Sequence, residues 1–63
     1  MEIVVNFKEG GTFTVRDKNL IESFDKDIQN YSLNGKPRFI QLEKRTFFAT
    51  DTIDYFYFVE DAE

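Results

Sequence analysis

The side chains that most often make and break bonds are scarce in this sequence. It contains no His and no Cys. Neither a Ser-His-Asp relay nor a Cys-His pair can therefore be assembled, and the nitrogen and sulfur ligands of most zinc sites are missing. Ser23 falls in the middle of a helical pattern and Ser32 in the loop expected to follow it, so each reads as a solvated or locally hydrogen-bonded hydroxyl. Paired carboxylates are the remaining route to acid–base chemistry. Asp25 and Asp27 point to different sides of a helix, Asp51 and Asp54 stand at the entrance to a strand, and neither pair belongs to a pocket motif. A lysine separates Asp25 from Asp27, and the Gly and distant Glu of a calcium loop are absent. Glu60, Asp61 and Glu63 read as a solubilising acidic end. Gly10 and Gly11 have neither the spacing nor the following helix of a phosphate-binding loop, and read as a turn. The expectation is a protein without enzymatic activity, bound metal, cofactor or small-molecule substrate.

The residues that could bind are aromatic and basic. Eight Phe and three Tyr make up 17% of the chain. Lys36, Arg38, Lys44 and Arg45 are four of the eight basic residues and fall within ten positions, with Glu43 the only acid among them. Positions 51 to 63 carry five acids and no base, so charge is segregated along the chain.

Alternation of apolar and polar residues supplies the elements that must position these groups. Ile3, Val5 and Phe7 alternate with Glu2, Asn6 and Lys8, then Phe13 and Val15 alternate with Thr12, Thr14 and Arg16. Two half-buried strands joined at Gly10 and Gly11 make a hairpin. Leu20, Phe24, Ile28 and Tyr31 recur at spacings of four, four and three with Ile21 beside them, which is a helical stripe. The helix is expected over about residues 19 to 30, opened by an Asn19 and Glu22 capping box or by Asp17 as N-cap, with Glu22 and Lys26 as an i,i+4 pair. Residues 32 to 35 carry the turn chemistry that ends it, and Pro37 suits the start of a strand. Residues 38 to 43 alternate again, Glu43, Lys44 and Arg45 form a tight turn, residues 46 to 50 make a short strand, and 53 to 59 are almost wholly apolar β-formers. The prediction is one α+β domain over residues 1 to 63, in the order β-β-α-β-β-β. An antiparallel sheet of four to five strands carries one helix packed on one face, and residues 60 to 63 are a fraying tail.

At 63 residues and 7.5 kDa there is room for one domain only. A chain this short buries about 60% of the surface its unfolded form exposes, and small domains commonly add disulfides, a metal or a second copy. Without Cys or His, the second copy is the supplement left. A net charge of -4 and a pI near 4.7 disfavour non-specific phosphate binding. The start Met-Glu-Ile-Val-Val has no basic n-region, and no apolar run approaches a membrane span, so a soluble, cytoplasmic protein is expected. No motif marks a family.

One helix cannot cover both faces of the strand at 53 to 59. With Ile3, Val5, Phe7, Phe13, Val15, Ile40, Leu42, Phe56 and Phe58 packed on the helix, the opposite face presents Val4, Phe39, Ile53, Tyr55, Tyr57 and Val59 among Thr12, Thr14 and Gln41. This aromatic face is the expected partner-binding surface, and a homodimer the first partner, because a two-fold contact needs one self-complementary patch. Three alternatives follow from the same residues. Phe47 and Phe48 could curl over that face and close a small core. Phe39, Tyr55 and Tyr57 could stack the bases of a single-stranded nucleic acid over a rim of Lys36, Arg38, Lys44 and Arg45, unless that rim is neutralised by the acids of residues 51 to 63. The acids themselves could imitate nucleic acid and make the protein an inhibitor.

Overall fold

A computed structural model describes residues 1–60. Strands β1 (Glu2–Phe7) and β2 (Thr12–Val15) form the hairpin, with Ile3 opposite Val15 and Val5 opposite Phe13. Gly10 and Gly11 close it at φ 102° and 95°, a region that L side chains rarely enter, while the Gly10 N–H donates to the Phe7 carbonyl at 3.0 Å.

Helix α1 (Lys18–Asn34) is longer at both ends than its apolar stripe. Asp17, not Asn19, is the N-cap. Its carboxylate accepts from the backbone N–H groups of Asn19 at 2.8 Å and Leu20 at 3.2 Å, which leaves Asn19 inside the first turn. Ser32, Leu33 and Asn34, read as a turn, continue the helix for a further turn, because i to i−4 backbone bonds require no particular side chain. What stops the helix is Gly35, left-handed at φ 72°, with its N–H donating to the Tyr31 carbonyl at 2.8 Å. Among the described residues, a side-chain hydrogen bond along its surface joins the Gln29 amide to Asp25 at 3.0 Å, and Glu22 and Lys26 form no ion pair.

Strands β3 (Phe39–Glu43) and β4 (Thr46–Ala49) make a second hairpin whose turn at Lys44 and Arg45 is braced by the Gln41 amide donating to the Lys44 carbonyl at 2.8 Å. Strand β5 (Ile53–Val59) then pairs with β1, with Val5 opposite Phe56 and Ile3 opposite Phe58. The class is α+β in the order β-β-α-β-β-β. The strands, however, divide into a three-stranded antiparallel sheet, β2-β1-β5, and a two-stranded one, β3-β4, in place of a single sheet.

The reason lies between β4 and β5. Thr50 is buried at the head of a short 3-10 turn (Thr50–Thr52); its N–H donates to the Arg38 carbonyl at 2.9 Å and its hydroxyl to the Pro37 carbonyl at 2.8 Å. Both bonds tie the end of β4 to the segment entering β3. The chain is thereby redirected, and the Lys8 N–H catches it by donating to the Thr52 carbonyl at 2.9 Å, at the start of β5.

The core sits between the inner face of the three-stranded sheet, α1 and the inner face of the β3-β4 hairpin. Ile3, Val5, Val15, Ile21, Phe24, Ile40 and Leu42 are buried, each aliphatic side chain contributing about 1.5–3 kcal/mol. Phe24 meets Phe56 edge-on at 5.1 Å, and Phe48 reaches across to lie on Phe7 at 5.0 Å and Phe13 at 5.6 Å. Phe58 shares this inner face but stays exposed on the outermost strand.

Replacing Thr50 with Val keeps the volume and removes the hydroxyl that the Pro37 carbonyl depends on. Thr50→Val is expected to lower the unfolding free energy by about 1–2 kcal/mol, read as a lower urea midpoint at unchanged slope.

Candidate interaction surfaces

Strand register decides which of the expected surface residues meet. On the outer face of the three-stranded sheet, Tyr55 lies across from Asn6, Tyr57 across from Val4 and Val59 across from Glu2, with Thr12 and Thr14 next along in β2. Tyr55 and Tyr57 are 56% and 48% exposed and their rings lie near-parallel at 6.4 Å. Val59 is exposed beside them. Apart from Val4, the rest of the face is polar and tied together: the Thr12 hydroxyl donates to the Asn6 side-chain oxygen at 2.9 Å, and Arg16 is ion-paired with Glu2.

Ile53 does not join this face. A register shift places it across from Phe7 when Tyr55 is across from Asn6, so Asp54 is the extra residue, and Ile53 turns inward to pack on the core. Phe39 is separated from the tyrosines more completely, because β3 belongs to the other sheet. It projects from the outer face of the β3-β4 hairpin, opposite Ala49, and shares that face with Phe47, which lies across from Gln41. Both phenylalanines are 61% exposed. The pairing of Phe39 with Phe47 was not anticipated, although adjacency required one of Phe47 and Phe48 to point outward.

Phe48 takes the inward direction and packs on the inner face of the three-stranded sheet, not over its outer face. The closed core that would have covered Tyr55 and Tyr57 is therefore not formed by these two residues.

The four basic residues belong with the phenylalanines. Lys36 and Arg38 precede β3, and Lys44 and Arg45 form the turn at its far end, a strand length of about 17 Å away. Among the described residues none of the four is in an ion pair. Of the acids expected to neutralise them, Asp54 and Glu60 go with the other sheet, Asp51 lies near Arg38 without an ion pair among the described residues, and the acids from 61 on lie outside the described residues. Arg38 and Asp51 do line one shallow cavity of about 530 Å³, with Tyr31, Phe39 and Ala49. A second, more open hollow of about 770 Å³ is lined by Asn30, Asn34, Lys36, Pro37 and Arg38.

The carboxylates considered for chemistry stay apart. Asp25 is hydrogen-bonded to Gln29, Asp51 and Asp54 are exposed on different elements, and Ser32 lies within α1, not in a loop. Among the described residues no three of the potential metal ligands come together, and no helix is long and apolar enough to cross a membrane. No protein-family model matches the chain, and no curated protein and no solved structure matches it.

The neighbours Phe47 and Phe48 test this division of faces directly. Phe48→Ala is expected to destabilise the fold by about 2–4 kcal/mol, and Phe47→Ala by less than about 0.5 kcal/mol, in paired thermal or urea unfolding. Equal costs would contradict the assignment of Phe47 to solvent.

Proposed function

We propose that the protein is a non-enzymatic protein-interaction module that self-associates through Tyr55, Tyr57 and Val59 on the outer face of β5. The observation that carries this reading is the pair of near-parallel, half-exposed tyrosine rings on an outer sheet face, with Val59 continuing the row. Tyrosine suits an interface because the ring supplies apolar area while the hydroxyl stays hydrated until contact forms. The small size of the chain adds a motive, since a second copy is a common way for a short domain to bury more apolar surface.

Sedimentation at micromolar concentration tests it. The expected species has twice the 7.5 kDa chain mass. Tyr57→Asp is expected to weaken the assembly about tenfold or more, whereas Lys44→Glu, on the other sheet, leaves it nearly unchanged. A monomer throughout that range overturns the reading.

A second reading rests on the Phe39 and Phe47 face with cations at both ends that form no ion pair among the described residues. Bases stack on exposed aromatic rings, and cations follow the phosphates, so this hairpin is where a single-stranded nucleic acid would bind, away from Tyr55 and Tyr57. The overall acidity opposes it. Of the acids that could imitate nucleic acid, Glu2, Asp17 and Asp25 are engaged in local contacts, which weighs against an inhibitor of that kind. Titration with single-stranded oligonucleotides at low salt separates the readings. No micromolar binding is expected; a tight complex that weakens steeply with added salt and is lost in Phe39→Ala would establish the second.

A further inference from the structure

The self-association proposed above leaves open how two copies meet, and the backbone of β5 supplies an answer. The Phe7 N–H donates to the Gly11 carbonyl on the β2 side, while the Lys8 N–H donates to Thr52 on the β5 side. In an antiparallel ladder these directions alternate, so Ile3, Val5 and Phe7 address β2, and Glu2, Val4 and Asn6 address β5. Their partners Val59, Tyr57 and Tyr55 therefore use their N–H and C=O groups on β1. The same groups of Phe56 and Phe58 point the other way, along an edge that pairs with no strand among the described residues, with Asp54 at its start.

That edge has few of the devices that normally guard one. From Tyr55 to Val59 there are five consecutive residues with no charge, no Pro and no Gly. Acids stand only beside this run, Asp54 before it and Glu60 after it. The β3-β4 hairpin packs beside β2 and α1, and belongs to a separate sheet that does not pair with β5.

We infer that β5 pairs antiparallel with β5 of a second copy, centred on Phe56, so that two three-stranded sheets become one of six strands. Two registers satisfy the outward groups. One sets Phe56 opposite Phe56 and Asp54 opposite Phe58; the other is centred on Tyr57 and sets Asp54 opposite Glu60. The second places like charges face to face at both ends of the ladder, which is destabilising. The Phe56 register has no such clash. It also sets Tyr55 opposite Tyr57 of the second copy, so the two tyrosine pairs become a single layer of four. A two-fold axis normal to the sheet generates this arrangement and keeps both copies of α1 on the same side.

The inference rests on the self-association reading, and thiol cross-linking separates the failure of one from that of the other. The chain has no cysteine, so introduced thiols are the only ones that react. Tyr55→Cys and Tyr57→Cys are exposed replacements, checked for native circular dichroism before use. In the Phe56 register, position 55 faces position 57 as a non-hydrogen-bonded pair with Cα atoms about 4.5 Å apart, within disulfide reach, whereas 57 and 57 are diagonal at about 7–8 Å. Mixed under reducing conditions and then oxidised, the two variants are expected to cross-link to each other about tenfold faster than either does alone. Rapid cross-linking of Tyr57→Cys by itself overturns the Phe56 register in favour of the one centred on Tyr57, and no preference for either pair in a chain that still sediments as a dimer overturns the edge geometry and leaves self-association standing. An unsubstituted chain that sediments as a monomer removes both.

Discussion

The contact of Phe48 with Phe7 and Phe13 is what makes one domain of two sheets. A two-stranded hairpin is at best marginal on its own in water, and a three-stranded sheet with one helix has more apolar inner face than that helix can cover. Phe48 addresses both deficits, carrying the inner face of β3-β4 onto the β1-β2 hairpin while α1 lies over Phe56 through Phe24. Removal of the Phe48 ring would open a gap bordered by aromatic faces on two elements, and partial collapse could not close it without moving a whole hairpin.

Period was the legible part of the fold. Alternation around Ile3 and Val5, the spacing of Leu20, Phe24 and Ile28, and the glycines at 10, 11 and 35 each act within a few residues, so element type and order could be read from the chain. What could not be read was whether β4 and β5 lie in the same sheet. That depends on the Thr50 hydroxyl meeting a carbonyl thirteen positions away, and no local pattern distinguishes such a threonine from its neighbours. Ile53 escaped for a related reason: strict alternation puts it on the face of Tyr55, and a single extra residue reverses it.

The same division reshapes the surface. Residues that a single sheet would have gathered into one platform are sorted into two, an outer tyrosine face next to an ion-paired Arg16 and Glu2, and an outer phenylalanine face with cations beyond its ends. Aromatic area and positive charge coincide on the hairpin; on β5, aromatic area coincides with neutral side chains and flanking acids. Two surfaces of such different character on so small a body are suited to different contacts, and occupation of one need not obstruct the other.

The pairing of β1 with β5 also bears on how the chain is made. The central strand of the larger sheet, β1, is synthesised before both its neighbours, and the second of them arrives more than forty residues later. Until then a nascent chain holds the β1-β2 hairpin with one flank of β1 bare, while α1 and the β3-β4 hairpin emerge with only part of the surface they will pack against. Closing that long loop is the entropically slow step. During translation, the exposed flank of β1 is the place where a chaperone, or an unwanted neighbour on the same polysome, would reach this protein first.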